Sequence, residues 1–390
     1  MRNTLLLAAI IATVTITAAA CKSDIGPGFT NDKVTLGLFV STSGDIATFG
    51  QDTKNGAELA VEEINKAGGI SKHLIDLRFQ DCASEPAQGG NAATKLITQD
   101  GVLIGMGEVA SGISLAAAPI FQKYGVPMIS PSSTNPTVTQ QGDMIFRICY
   151  LDDFQGAACA LFANQNLNCK TAAILMNQDD AYSTGLGKFF RFKFEKLGGK
   201  IVAEETFKKG ASDFNTQLTN IKGKNPDVIF APVYYQDIPL IAKQARGQGI
   251  DKPLLGGDGW ESDDLLPKAD GKLDNCYFAN HYATADDAPI VANFVKAYNA
   301  KYGSNPTSLA ALGYDVVYVA KKAIESAGGI NEKLTRKAVA DALRGLKDFE
   351  GVTGTFSIDK NRDARKPIQM LKIKDGKVLP DRRIRPEEVE

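Results

Sequence analysis

Short apolar runs and amphipathic stretches alternate along the chain from Val34 onward. The run Val34–Val40 is nearly continuous in apolar residues and has strand length. Between Gln51 and Ala67, positions 57, 60, 61, 64 and 67 keep helical spacing, and Gly68-Gly69 ends the pattern. Leu74–Gln80 alternates like a strand, and Pro86–Thr98 reads as a helix. Strand Val102–Gly105, helix Ser111–Tyr124 and strand Val126–Ser130 complete a first set. The pattern restarts after Arg147. Helix Gln155–Asn166, strand Thr171–Met176, helix Gly185–Leu197 and strand Ile201–Glu205 lead to helix Phe214–Ile221 and strand Asp227–Val233. Helix Ile238–Gly247 and strands Pro253–Gly256 and Cys276–Tyr282 follow. Helices are expected at Pro289–Lys301, Ser308–Ala327 and Leu334–Leu343, and strands at Gly354–Ile358 and Ile368–Ile373.

Strands alternating with helices imply right-handed crossovers and parallel sheets. The predicted class is α/β, with two doubly wound Rossmann-like lobes and late segments returning to the first. Residues 33–150 and 282–352 are assigned to lobe I, 151–281 and 353–380 to lobe II, and 381–390 to a C-terminal tail. With 390 residues, two cores are expected rather than one.

Residues 1–20 stand outside this pattern. Arg2, the apolar stretch Leu5–Ile16 and the small residues Ala18-Ala19-Ala20 have the parts of a bacterial secretory signal. Thr13, Thr15 and Thr17 interrupt the run, which falls short of the roughly 20 apolar residues of a membrane span. Cys21 sits where a lipoprotein signal places its modified cysteine, whereas Ala18 and Ala20 equally satisfy ordinary A-x-A cleavage. Residues 21–32, with Gly26-Pro27-Gly28, read as a flexible tether. Export permits disulfides, but with Cys21 lipidated five cysteines remain (Cys82, Cys149, Cys159, Cys169 and Cys276), and five cannot all pair internally.

Charge and composition narrow the function. The 44 basic and 45 acidic residues nearly cancel, unlike the basic excess of nucleic-acid binders. Two histidines, His73 and His281, leave little for histidine-based catalysis or metal binding. Neither a phosphate loop nor a G-x-S-x-G elbow occurs. Gly105-Met-Gly107-Glu-Val-Ala110 matches a dinucleotide fingerprint, but the acid expected about 20 residues later is replaced by Pro127-Met-Ile-Ser-Pro131. The pairs Asp179-Asp180, Asp263-Asp264 and Asp286-Asp287 read as solvated or capping residues. Neither an enzyme, a cofactor nor a metal is expected.

Ligands of open α/β sheets bind beyond the carboxyl ends of strands. There the first lobe offers Ser111 at a helix start, and Ser132 and Thr134 in Pro131-Ser-Ser-Thr-Asn-Pro136. The second offers Tyr182, Tyr234, Asp258 and Trp260. Hydroxyls and free helix amides suit a carboxylate. An acid suits an ammonium, and rings suit an apolar side chain. Together they describe a pocket for an amino acid.

The same residues carry a resemblance. Gly56-Ala-Glu-Leu-Ala-Val-Glu-Glu-Ile-Asn65, Gly68-Gly69-Ile70, Ile129–Pro136, Phe146-Arg147, Asp153-Phe-Gln-Gly156 and Ala181–Leu186 are similar to those of bacterial type I periplasmic binding proteins. The likeness is to the leucine/isoleucine/valine-binding branch that serves ABC transporters, over about residues 33–378. It implies that Ser111, Ser132 and Thr134 hold the ligand carboxylate and Asp258 the ammonium. Tyr182 and Tyr234 make aromatic contacts, and Phe49 borders the side-chain pocket; Trp260 is added for its place in the loop. It also implies hinge closure about crossings near Cys149–Asp153, Asn280–Ala283 and Gly351–Thr355. The expected partner is a membrane permease, and the location is the periplasm or the outer face of the cytoplasmic membrane, anchored through Cys21. A monomer is expected. Two departures stand out: glutamate is frequent at the Asp258 position, and Ala110 replaces a cysteine that some relatives pair with the Cys82 position. The same fold taking an amide, urea or aromatic carboxylate, and a sensing module for a separate receptor, are the alternatives.

Overall fold

The computed structural model describes residues 26–282 and 288–389. The proposed signal segment, Cys21, Ala283 of the second crossing and Asp286-Asp287 lie outside the described residues. In the first lobe, β1 (Lys33–Val40), α1 (Ala47–Lys66), β2 (Leu74–Asp81), α2 (Pro86–Thr98), β3 (Ile104–Gly107), α3 (Ser111–Tyr124), β4 (Met128–Ser130) and β5 (Ile145–Arg147) run in chain order. Their five strands form a parallel sheet ordered β2-β1-β3-β4-β5. Helices cover both faces, so β1 buries Leu36, Leu38, Phe39 and Val40 without alternation.

The chain then crosses into α4 (Asp152–Leu161), β6 (Thr171–Asn177), α5 (Ala181–Lys196), β7 (Lys200–Phe207), α6 (Asn215–Lys224), β8 (Val228–Phe230), α7 (Ile238–Gly247), β9 (Leu254–Gly256), α8 (Leu265–Ala269) and β10 (Cys276–Asn280). It returns to the first lobe as α9 (Pro289–Tyr302), α10 (Ser308–Ser326), α11 (Arg336–Arg344) and the hairpin β11 (Phe349–Gly351) and β12 (Gly354–Phe356). Finally β13 (Ile368–Lys374) and β14 (Lys377–Ile384) complete a second sheet ordered β14-β13-β10-β9-β8-β6-β7, in which β13 alone runs against the other strands and pairs antiparallel with both β10 and β14.

Two boundaries differ from expectation. Phe356, Ile358 and Ala364 pack in the core of the first lobe, while Ile368 belongs to the second. The third crossing therefore lies at residues 365–367; Gly351–Thr355 is the hairpin turn. Residues 381–384 are not tail but the end of β14. Its sequence, Lys377–Ile384, is charged and carries Pro380, as an exposed sheet edge tolerates and a central strand does not.

The returning helix α10 lies against α1, and glycine allows the crossing. A Cβ on Gly56 would stand 1.8 Å from the Ala310 carbonyl oxygen, and one on Gly313 would stand 2.1 Å from that of Thr53. The hairpin turn is held by buried Asp315, which accepts from the amides of Val352 and Thr353, both at 2.8 Å, and from the Thr353 hydroxyl at 2.6 Å. Buried Lys366 on the third crossing donates to that hydroxyl at 2.7 Å, and burial lowers its pKa to about 8. The five cysteines of the described residues are all free and buried, Cys82 included. No helix among the described residues is long and apolar enough to cross a membrane.

Gly313→Val is expected to overpack this crossing and cost about 1–3 kcal/mol of stability. A urea midpoint unchanged from the parent would show that the two helices separate freely.

Candidate ligand-binding site

Where the first-lobe strands end, a ring of serines gathers round Glu108. The Glu108 carboxylate, fully buried, accepts from the Ser41 amide at 2.8 Å, the Ser41 hydroxyl at 2.7 Å and the Ala110 amide at 2.6 Å. Burial pushes its pKa up to about 7. Its main-chain carbonyl accepts from Ser130 at 2.7 Å and Ser133 at 2.8 Å, and its amide donates to Ser114 at 3.1 Å. This clamp sets the loop from β3 into α3, whose first residue is Ser111. The Ala110 amide of the dinucleotide-like sequence is thus occupied by the chain's own Glu108.

Ser133 turns inward to this clamp, so its neighbours Ser132 and Thr134 face the cleft. Arg147, at the end of β5, fastens the turn from beneath. It donates to the carbonyls of Ser133 and, at 2.9 Å, Asn135. Its Nε forms a 2.6 Å ion pair with Asp363, both side chains being buried. The same arginine therefore orders the Ser-Ser-Thr turn and ties the approach to the third crossing onto the first lobe.

Across the cleft, Asp258 follows β9. Its amide donates to Gln155 at 2.7 Å. Its carboxylate takes the Tyr182 hydroxyl at 3.0 Å on one oxygen and faces His281 Nε2 at 3.0 Å on the other. Tyr182 also accepts from the Gly259 amide at 3.1 Å. Tyr182 and Tyr234 stack 4.9 Å apart at 6°, and Phe49 of the first lobe meets Tyr234 edge-on at 5.7 Å. Burial, then the nearby Asp258 charge, hold the Tyr182 phenol and the Asp152 carboxyl well above their ordinary pKa values.

The structure brings Phe49, Ser111, Ser132, Thr134, Tyr182, Tyr234 and Asp258 to one cavity of about 10 Å³, which Val109, Gly259 and Leu309 complete. Trp260 is not among them. It is fully buried in the second-lobe core, its indole donating to the Ala231 carbonyl at 2.9 Å. It serves as the floor beneath β9: a Cβ on Gly256 would stand 2.1 Å from its ring. The turn Asp258–Trp260 places Asp258 towards the cleft and sends Trp260 into the core.

The lobes also touch round the cavity. Asn135 Nδ2 donates to the Ala181 carbonyl at 2.8 Å, Lys209 pairs with Glu85 at 2.7 Å, and Phe49 packs on Tyr235 at 4.8 Å. No group of three metal-ligating side chains occurs among the described residues.

This is a cleft with hydroxyls and a helix start on one wall and a carboxylate and stacked rings on the other, closed between two α/β lobes. A family model for periplasmic binding proteins matches residues 33–377. The chain belongs to the periplasmic binding protein family. Within it, the similar proteins include Leu/Ile/Val-binding proteins. A Leu/Ile/Val-binding protein homolog 3 of Brucella melitensis is 30% identical over 352 residues, 89% of this chain and 93% of the relative. The crystal structure of leucine-binding protein LivK from Thermotoga maritima superposes with a TM-score of 0.86 at 36% identity, covering 91% of this chain and 99% of that one. LivJ from Streptococcus pneumoniae, solved in complex with isoleucine, gives 0.83 at 36% identity, covering 90% and 100%.

In this periplasmic binding protein, Glu108, Gln155 and His281 support the site; Gln155 lies in the family-like stretch Asp153–Gly156 and Glu108 in the dinucleotide-like one, but neither stretch assigned them a role. Arg147 had a signal. It is a lone charge inside the apolar run Met144–Ile148, and such a residue is buried only with a partner. Arg147→Met leaves Asp363 buried without its cation and is expected to cost about 3–5 kcal/mol of stability. Chemical denaturation of the purified variant measures this directly; a loss below about 1 kcal/mol, the worth of an exposed pair, would contradict the buried role.

Proposed function

We propose that the protein binds a free amino acid with an aliphatic side chain between its lobes and presents it to the permease of an ABC importer, without chemical turnover. The observation that carries this reading is the convergence, in one closed cavity, of complementary groups for each part of a zwitterion. Ser111, Ser132, Thr134 and the start of α3 suit the carboxylate, since hydroxyls and helix amides favour negative charge. Asp258 suits the ammonium, and Phe49, Tyr182 and Tyr234 suit an apolar side chain. The family's leucine- and isoleucine-binding members support the same ligand class.

A cavity of about 10 Å³ holds no more than about one water. An amino acid therefore enters only when the lobes part, which assigns the three crossings near residues 149–153, 280–282 and 365–367 the role of hinge. Closure then surrounds the ligand charges with partners from both lobes. Export with lipid attachment at Cys21 would hold the binding protein, as a monomer, near its permease.

Titration calorimetry of the mature chain against the twenty amino acids tests the reading. Tight binding of aliphatic amino acids, absent for des-amino analogues such as 4-methylpentanoate, is the expected pattern. Binding of the analogues alone would assign the site to plain carboxylates. Asp258→Ala removes the buried partner of the ammonium and should weaken binding by about 2–5 kcal/mol; an unchanged Kd would remove Asp258 from the site. Metabolic labelling with palmitate should mark the full-length chain and spare Cys21→Ser, whereas an unlabelled parent would indicate simple secretion.

A further inference from the structure

Of the chain's two histidines, only His281 is buried. It follows β10 directly, on the second crossing between the lobes, and its ring lies flat on Tyr150 of the first crossing, with centroids 4.0 Å apart at 20°. Its Nε2 stands 3.0 Å from Asp258 Oδ2, the carboxylate assigned above to the ligand's amino group.

We propose that His281 is a positioning residue for that amino group and couples ligand binding to a proton: the neutral imidazole orients Asp258, and the imidazolium competes with the ligand for it. The proposal rests on the amino-acid reading. In the neutral ring, an Nε2 proton donated to Oδ2 holds the carboxylate in one orientation. Nδ1 is then the unprotonated nitrogen, and it has no hydrogen-bond partner among the described residues. Adding a proton there creates a buried N–H without an acceptor.

The charged and titratable groups round the imidazole act in both directions. Asp258 favours the imidazolium, and Lys366 on the third crossing opposes it. Tyr150, flat on the ring, is buried and stays protonated, as does Tyr182 across Asp258. Asp152 lies behind Asp258, and its own burial keeps it from ionising readily. Burial outweighs the attraction of Asp258, so the imidazole is held below its ordinary pKa. An ammonium docked on Asp258 adds a positive charge and weakens the remaining support for an imidazolium, lowering that pKa further. Binding then expels the proton that His281 carries in acid, to solvent. The sign follows: affinity is full at and above neutral pH and falls as pH drops through the pKa of the free protein. Each unit by which the ligand lowers that pKa corresponds to about tenfold in affinity.

Calorimetry with L-leucine and L-isoleucine from pH 8.0 to 5.0, in buffers of different ionisation enthalpy, measures both affinity and proton release. The parent should bind progressively more weakly as pH falls from 7.5 to 5, with proton release on binding that grows in acid and stays below one proton per ligand. His281→Gln keeps an N–H donor for Asp258 but cannot be protonated; it should bind within about threefold of the parent at pH 7.5 and lose the acid weakening. The ring resonances of the two histidines in the parent give a reading independent of any variant, since the His281 titration midpoint should move to lower pH when leucine is added. A flat parent profile, an acid slope retained in His281→Gln, or an unmoved midpoint with bound leucine would overturn the proposal alone. Failure of folded parent to bind any amino acid at pH 7.5 would overturn the amino-acid reading, and the proposal with it.

Discussion

A carboxylate largely withdrawn from solvent is unstable unless donors surround it, and this requirement organises the wall on which Asp258 sits. An unpaired buried ion is strongly destabilising, whereas one with hydrogen-bond partners is tolerated. Asp258 meets the condition by drawing its partners from separate elements: Tyr182 from α5 and His281 from the exit of β10, with Gln155 of α4 fixing its main chain. Three segments distant in sequence are thereby registered on one side chain. Each of them also borders either the cleft or a crossing, so the position of this charge and the position of the lobes are coupled.

The opposite wall is built on another principle. Its groups towards the cleft are uncharged hydroxyls and the start of α3, while its two ionisable anchors are withdrawn behind them. Glu108 is enclosed by Ser41, Ala110 and the surrounding serines, and Arg147 by Asp363 and the carbonyls of the Ser-Ser-Thr turn. The anchors order the loop without presenting a charge to a ligand anion. An exposed Glu108 would repel a carboxylate; a free Arg147 would attract any anion and blunt selection by shape.

Much of the fold was legible because buried parallel strands are short apolar runs and covering helices keep a 3.6-residue apolar spacing. Helices Pro86–Thr98, Ser111–Tyr124 and Ile238–Gly247 are observed at the predicted limits. The elements without such a signature were missed. β5 is three residues long, α8 five, and β14 is a polar edge. The third crossing was misplaced because Gly354–Ile358 reads as a strand, and the strand that forms there, Gly354–Phe356, pairs with the adjacent β11 and not with the second sheet.

What sequence by itself determined is the alternating α/β order, the family likeness and the loops that end strands, hence seven of the residues that meet at one cavity. Tertiary structure alone decided which way each side chain of those loops points. Ser133 and Trp260 lie beside cleft residues in sequence yet turn into the core, because successive residues in a turn diverge and a large ring is stabilised most where it is fully covered. Tertiary structure also decided the partners of Glu108, Arg147 and His281. Their contacts join residues as far apart as 216 positions, and no local pattern encodes a hydrogen bond between such distant segments.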